Sequence, residues 1–161
     1  MALDTRNLQA RIEFLPSTKI AYVRHVGPYV KADATFKRFV TWCERRGLIN
    51  ADTKYMGVCH DDPAELGPEK LRYDCAITVG PDFQPEEDVQ TGKVFGGEYG
   101  VTTYRGPHAD LPLVYEWLYT KWLPTSGREE APGPTIELYL NDASDTPPSQ
   151  LLTGICIPLQ W

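Results

Sequence analysis

An internal repeat constrains the fold of this 161-residue chain more than any other feature. Residues 20–48 resemble residues 99–127, and each segment has the pattern of a strand, a Gly-Pro turn and a helix. The segments that follow also match at an offset of about 80 residues, 55–65 with 135–145 and 71–81 with 151–160. Because a repeat of this kind indicates one structural unit used twice, the chain is predicted to fold as two similar halves.

The helix in each half is marked by apolar residues at helical spacing. The first stripe consists of Phe36, Phe39, Val40 and Cys43. The second stripe consists of Leu111, Val114, Tyr115, Leu118 and Trp122. Gly47 and Gly127 are suited to end these helices because glycine readily adopts the left-handed conformation found there, and Asp110 is placed to cap the start of the second helix.

Strand patterns follow each helix. Apolar residues alternate along one strand at Tyr73, Cys75, Ile77 and Val79. The Asp- and Pro-rich segments 61–70 and 141–150 are predicted to be hairpin loops, and residues 80–92 the linker between the halves. Each half is therefore predicted to be a β-α-β-β module. The pair is an α+β fold with a mostly antiparallel sheet, helices on one face and a cleft between the halves.

The domain prediction is a single domain over residues 1–161, with the repeat at 11–80 and 93–160. The net charge of −6 and pI near 5.0 argue against broad binding to phosphate backbones, so no direct nucleic-acid binding is expected. No apolar run approaches the roughly 20 residues of a membrane helix. The N-terminal MALDTRNLQAR has no apolar stretch, so neither a membrane partner nor a signal peptide is predicted.

The four cysteines form no CxxC pair and have no zinc-site spacing. They are predicted to be buried free thiols in a reducing cytosol, which makes the expected location cytoplasmic. The triplet His60-Asp61-Asp62 has metal-ligating side chains, but no second cluster supports it. No metal and no cofactor are therefore predicted.

The stretch TIELYLND, residues 135–142, places a carboxylate in an apolar strand pattern. Because side chains alternate along a strand, Glu137 and Tyr139 are predicted to share one face, and the helix-packed face is predicted for Ile136, Leu138 and Leu140. The first half has Gly57 at the position of Glu137, so it is predicted to leave space there. Two interpretations stay open: Glu137 faces solvent, or it is the charged floor of an aromatic-lined cleft.

Several motifs in order along the chain are similar to those of the GyrI-like family, which includes DNA gyrase inhibitory proteins and AraC-type effector-binding domains. They are RHVGPY (24–29), EKLRYDCAITV (69–79), GGEYGVTTYRGPH (96–108), the Trp-rich second helix and IELYLND (136–142). The resemblance implies two β-α-β-β modules with a ligand cleft between them. It also implies a glutamate at the cleft floor, which maps by position onto Glu137.

The resemblance implies binding of a hydrophobic, often cationic, small molecule, as in multidrug binding or toxin resistance. The candidate ligand-binding residues are Glu137, Tyr139, Trp117, Tyr119, Tyr22, Trp42 and Tyr55. One alternative is a hydrolase of cyclopropanoid alkylating compounds, with Glu137 as general base and Tyr139 as partner acid. Another is an inhibitor or protector of DNA gyrase that acts by protein contact through acidic segments such as 61–65 or 85–88. Only about ten residues precede the first predicted strand, so no helix-turn-helix reader is expected.

Overall fold

The computed structural model describes residues 3–161, so Met1 and Ala2 of the predicted domain and N-terminal stretch lie outside the described residues. The chain divides into two compact units. The first unit is Pro16–Gly96, and the second unit combines Met1–Leu15 with Gly97–Trp161. The single-domain assignment and the bounds of the repeat stay predictions.

The chain consists of strands interrupted by helix at one place in each half. In order they are β1 (Ala10–Leu15), β2 (Thr18–Val26), α1 (Asp33–Arg45), β3 (Tyr55–Cys59), β4 (Arg72–Thr78), β5 (Gln90–Val94), β6 (Gly97–Arg105), α2 (Leu111–Trp117), α3 (Leu123–Ser126), β7 (Thr135–Tyr139) and β8 (Leu152–Pro158). Each half therefore contains the predicted β-α-β-β sequence of elements. Residues 61–70 and 141–150 form the predicted loops between β3 and β4 and between β7 and β8.

Each unit is a four-stranded antiparallel sheet with helix on one face, which confirms the α+β prediction. In the first unit β4 pairs with β3 and β2, and β2 also pairs with β5. In the second unit β6 pairs with β1 and β8, and β8 also pairs with β7. Residues 90–92 of the predicted linker are thus part of a strand, because their backbone groups pair with β2.

The helices pack against the sheets through the predicted stripes. In the first unit the stripe residues Phe39 and Cys43 share a core with strand residues Ala21, Cys75 and Ile77. In the second unit the corresponding core consists of Leu111, Val114, Leu118, Tyr104 and Ile155. Burial of these apolar side chains is the main force that holds each helix to its sheet.

A glycine ends the helical stretch of each half. After α1, Leu48 N donates to Cys43 O and Gly47 N donates to Glu44 O, both at 3.1 Å, and Gly47 has φ of 68°. These two bonds define a Schellman motif, so glycine ends the helix as predicted. Gly127, with φ of 75°, ends α3 in the same left-handed conformation.

The second helical stretch contains a π-helical segment at Leu118–Trp122, between α2 and α3. Pro124 follows it, and a proline has no N–H to donate to the preceding turn. π-Helical turns are rare and occur mostly as single bulges inside longer helices, as here. Asp110 precedes α2 but makes no side-chain cap, because its carboxylate accepts the Tyr104 hydroxyl at 2.8 Å instead.

The prediction for the two faces of β7 was wrong. Glu137 pairs across the sheet with Ile155, which belongs to the helix-packed core, and cross-strand partners share a face. Glu137 therefore lies on the helix-covered face, whereas Ile136 lies on the opposite one. Leu140, predicted to be core, is 53% exposed. Alternation separates the side chains into two sets, but it does not say which set the helix covers.

The prediction of open space at Gly57 was also wrong. A Cβ added there would overlap the ring and hydroxyl of Tyr73, a buried residue of β4. The position equivalent to Tyr73 in the second unit is Thr153, which is much smaller. The first unit thus combines a glycine with a large neighbour, and the second unit combines Glu137 with a small one.

Gly57→Ala is expected to destabilise the protein by about 1–3 kcal/mol, because the added methyl group has no room beside the Tyr73 ring. The free energy of unfolding in urea measures the effect. Gly154→Ala is the matched control, since a Cβ there meets Leu138 at an ordinary 3.5 Å. Equal stability of the two variants would contradict the packing described for Gly57.

Candidate functional site

Glu137 is held by two tyrosine hydroxyls on the helix-covered face of the second unit. Tyr115 of α2 donates to Glu137 Oε2 at 2.7 Å, and Tyr139 of β7 donates to Oε1 at 2.8 Å. The glutamate is 9% exposed. A buried carboxylate requires donors of this kind, because loss of its hydration is costly. Since phenols are neutral, they stabilise the carboxylate without cancelling its negative charge.

The sequence places these donors by two different periodicities. Tyr139 is two residues from Glu137 on the same strand, so both side chains point to one face. Tyr115 follows the buried Val114 and is half-buried at the edge of the helical stripe. The His108 ring lies beside Tyr139, with ring centroids 5.5 Å apart. The cluster therefore joins a helix, a strand and the turn before the helix.

The sequence analysis placed Tyr115 in the apolar stripe and did not name His108 as a candidate, so it missed both as members of this cluster. One signal identifies Tyr115 in retrospect. Its equivalent in the first half is Phe36, which has the same ring without the hydroxyl. A tyrosine thus replaces phenylalanine only in the half that carries Glu137, which indicates that the hydroxyl serves the carboxylate.

Two other candidates of the second unit make different contacts. Trp117, at the end of α2, packs against the second-unit core. Tyr119, in the π-helical segment, donates its hydroxyl to Glu130. Among the candidates in this unit, Glu137 and Tyr139 are joined directly by a hydrogen bond. A ligand-binding role for Trp117 and Tyr119 stays a prediction.

The remaining three candidates lie in the first unit. The guanidinium carbon of Arg24 is 5.6 Å from the centre of the Tyr22 ring. Trp42 donates its indole N–H to Glu87 at 2.9 Å. Tyr55 packs at the margin of the first-unit core. Each of these side chains has a structural contact of its own, and a shared ligand with Glu137 stays a prediction.

Thr153 has a buried hydroxyl for which the described part of the chain provides no hydrogen-bond partner. The residue is 0% exposed and lies opposite Tyr104 on one neighbouring strand and Tyr139 on the other. Those two tyrosine hydroxyls donate to Asp110 and Glu137. A buried polar atom without a partner lowers stability, and such atoms are uncommon.

The first unit contains a buried aspartate that is held by an arginine and a histidine. Arg24 donates to Asp74 Oδ1 at 2.8 Å and to Oδ2 at 3.1 Å, and His60 Nε2 lies 2.6 Å from Oδ2. Asp74 is 3% exposed. Burial alone would raise the pKa of Asp74, but the hydrogen bonds from His60 and Arg24 lower it below its ordinary value.

The acidic segments considered for gyrase contact are partly engaged by arginines. Arg72 binds both oxygens of Asp61 at 2.8 and 3.0 Å, and this holds the pKa of Asp61 down at about 2. Arg46 pairs with Glu86 at 2.9 Å and with Glu87 at 3.3 Å. These local pairs reduce the negative charge that the two segments present to a partner.

All four cysteines are buried and free, as predicted. Burial raises the pKa of the Cys43 thiol to about 11 and of the Cys75 and Cys156 thiols to about 12, so they are poor nucleophiles. In residues 3–161 no group of three or more His, Cys, Asp or Glu side chains is arranged to hold a metal ion. No helix within those residues has the length and apolar character needed to span a membrane.

Thr153→Val is expected to stabilise the protein by about 1 kcal/mol, because it removes a buried hydroxyl that has no partner. The melting temperature should rise by about 2–4 °C. Thr102→Val is the matched control, since Thr102 is equally buried but its hydroxyl donates to Gln9 O. That variant should be destabilised, and a loss of stability in both variants would show that the Thr153 hydroxyl is satisfied.

Asp74→Asn is expected to remove part of the acid sensitivity of folding. Because the folded-state pKa of Asp74 is lowered, its stabilisation is complete above the ordinary pKa of about 3.9 and is lost as the pH falls through the folded value. Urea unfolding from pH 6 to pH 3 should show a shallower decline for the variant than for the wild type. Asp52→Asn, at an exposed position of the same unit, should leave the slope unchanged.

Two of the relatives found by sequence cover most of this chain. It is 30% identical over 140 residues to a DNA gyrase inhibitor of Edwardsiella piscicida, which covers 84% of this chain and 88% of that protein. It is 28% identical over 154 residues to the probable transcriptional regulator YgiV of Escherichia coli K12, covering 94% of this chain and 96% of that protein.

Solved structures share the fold at low sequence identity. The EcmrR C-terminal domain matches with a TM-score of 0.78 at 17% identity, covering 96% of this chain and 98% of that one. A hydrolase from Listeria innocua matches with a TM-score of 0.63 at 15% identity, covering 94% of this chain and 92% of that one. The structure of SAV2435 bound to tetraphenylphosphonium matches with a TM-score of 0.60 at 16% identity, covering 94% of each chain. Such likenesses confirm the fold class alone.

The sequence family covers nearly the whole chain. Residues 8–160 match the GyrI-like small molecule binding domain, which confirms the resemblance found in the motifs. The match includes both units and every residue of the Glu137 cluster. The chain therefore belongs to the GyrI-like small molecule binding domain family.

Proposed function

We propose that this protein binds hydrophobic cations, with Glu137 as the counter-charge. The observation that carries the proposal is a carboxylate, 9% exposed, whose two oxygens accept hydrogen bonds from Tyr115 and Tyr139. The phenols orient the carboxylate but add no opposite charge. A cation placed beside it gains a strong interaction because the surroundings have a low effective dielectric constant.

The aromatic surroundings favour a cation whose charge is spread over an apolar body. Tyr115 and Tyr139 contact the carboxylate through their hydroxyls, the His108 ring lies beside Tyr139, and the faces of tyrosine rings attract cations. A small, strongly hydrated ion loses its hydration on entering such a site, whereas a lipophilic cation also buries apolar surface. The site chemistry therefore favours bulky organic cations over metal ions or simple amines.

Two comparisons support this ligand class. The family is described as binding small molecules. The fold neighbour SAV2435 has a structure bound to tetraphenylphosphonium, a lipophilic cation. The predicted contributors Trp117 and Tyr119 lie in the same unit as Glu137, and the same assay can test them.

The hydrolase and gyrase alternatives have less structural support than the binding of a cation. An anchor for a cation needs only an oriented carboxylate, whereas a general base also needs a water and a reacting atom within reach. The geometry around Glu137 provides an oriented carboxylate, which is what an anchor for a cation needs. For gyrase contact, the name of the Edwardsiella relative gives support, but Asp61, Glu86 and Glu87 are paired with arginines. We therefore extend the proposal to neither.

Calorimetric titration with tetraphenylphosphonium tests the proposal directly. The wild type should bind this cation in preference to tetraphenylborate, which has nearly the same shape and the opposite charge. Glu137→Gln should weaken binding of the cation about tenfold or more, because the counter-charge is removed while the shape is kept. Tyr115→Phe and Tyr139→Phe should each have a smaller effect, since they only loosen the carboxylate.

Glu130→Gln is the matched control, because Glu130 also accepts a tyrosine hydroxyl in the second unit but is exposed. It should bind the cation as the wild type does. The melting temperature of each variant, measured without ligand, separates lost binding from lost folding. Wild-type affinity in a folded Glu137→Gln variant, or equal affinity for the cation and the borate, would overturn the proposal.

A further inference from the structure

The first unit has a pocket of its own, which does not involve Glu137. It lies between α1 and the turn that precedes β5, and its volume is about 160 Å³. A cavity of about 150 Å³ accommodates a benzene ring. The apolar residues of the lining are Val23, Phe39, Trp42 and Val89. The pocket thus has the size and the walls to receive one apolar or aromatic side chain.

The wall formed by the turn is fixed in place. Glu86 and Val89 close the turn with two backbone hydrogen bonds of 2.9 and 3.1 Å. Between them, Glu87 has φ of 56°, the only positive value at a non-glycine residue in the described chain. Its carboxylate accepts the Trp42 indole N–H at 2.9 Å and pairs with Arg46 at 3.3 Å. A residue held in this conformation against its preference often marks a functional site.

Trp42 is oriented by the same contacts. Its indole N–H is committed to Glu87, and the Arg46 guanidinium carbon lies 4.6 Å from the centre of its ring. A ring held at its edge and on one face loses little further freedom when a ligand packs against it. The pocket is therefore preorganised on the helix side as well as on the turn side.

Two opposite charges line the pocket. Arg38 of α1 and Asp88 of the turn both contribute to its lining. Both residues are exposed, and the side-chain hydrogen bonds and ion pairs found within residues 3–161 do not pair them with each other. A pocket with apolar walls, one guanidinium and one carboxylate complements a ligand that carries an apolar group and both charges.

We propose that this pocket binds a free α-amino acid with an apolar or aromatic side chain. The ligand carboxylate accepts hydrogen bonds from Arg38, and its ammonium group donates to Asp88. The side chain packs against Phe39, Trp42 and Val89. The site is distinct from the cluster proposed to bind hydrophobic cations, because none of Glu137, Tyr115, Tyr139 and His108 lines this pocket.

Calorimetric titration with L-phenylalanine and L-leucine tests the proposal, alongside two analogues that each lack one charge. Phenylalaninamide keeps the ammonium group without the carboxylate, and N-acetylphenylalanine keeps the carboxylate without the ammonium group. Both amino acids should bind saturably to the wild type, and each analogue should bind about tenfold more weakly than phenylalanine.

Variants then assign each ligand charge to its partner. Arg38→Gln should lower the affinity for phenylalanine about tenfold and leave the affinity for phenylalaninamide unchanged, because the amide has no carboxylate for Arg38 to bind. Asp88→Asn should lower the affinity for phenylalanine and leave the affinity for N-acetylphenylalanine unchanged. Arg45→Gln is the control, since Arg45 is an exposed arginine of α1 outside the pocket lining.

Two results would overturn the proposal. One is the absence of saturable binding by either amino acid at millimolar concentration. The other is an equal change of affinity for phenylalanine and both analogues in the Arg38→Gln and Asp88→Asn variants. That result would mean that Arg38 and Asp88 do not contact the charged groups of the ligand. Glu137→Gln should bind phenylalanine normally, and Arg38→Gln should bind tetraphenylphosphonium normally, so failure of one site is distinguishable from failure of the other.

Discussion

The desolvation of one carboxylate governs the second unit. Glu137 lies on the helix-covered face of a sheet, where an ion without partners costs several kcal/mol. The donors that offset this cost come from two elements, Tyr115 of α2 and Tyr139 of β7. The hydrogen bonds therefore specify how the helix sits over the strand, which apolar packing alone constrains less tightly.

The rest of the difference between the halves follows from that carboxylate. The repeated units share the β-α-β-β order, yet they differ at three pairs of equivalent positions. Phe36 corresponds to Tyr115, Gly57 to Glu137 and Tyr73 to Thr153. In the first unit a large ring fills the space above a glycine. In the second unit a smaller side chain stands at the ring position and a carboxylate at the glycine position. Interiors are close-packed, so a change of volume at one of these positions requires compensation nearby.

Periodicity was enough to predict the elements, the helical stripes and the glycines that end the helices, because each depends on local backbone geometry. Periodicity could not predict which face of β7 the helix covers, because alternation divides the side chains into two sets without assigning either set to the helix. It also could not find Tyr115 as a donor, because a tyrosine on an apolar stripe resembles core. The π-helical segment had only Pro124 as a signal, and β5 had a pattern too short to separate from a linker. These features depend on contacts between elements distant in sequence.

The two units treat their buried carboxylates in opposite ways, and this difference determines where a cationic ligand gains most. Asp74 is bound by an arginine of its own unit, so an incoming cation would have to displace a tethered one. Glu137 accepts hydrogen bonds from two phenols, which are neutral donors. Tethered partners have a high effective concentration, so competition with Arg24 is unfavourable for a dilute ligand. The protein thus uses arginine where a carboxylate serves the fold and tyrosine where, as we propose, it serves a ligand.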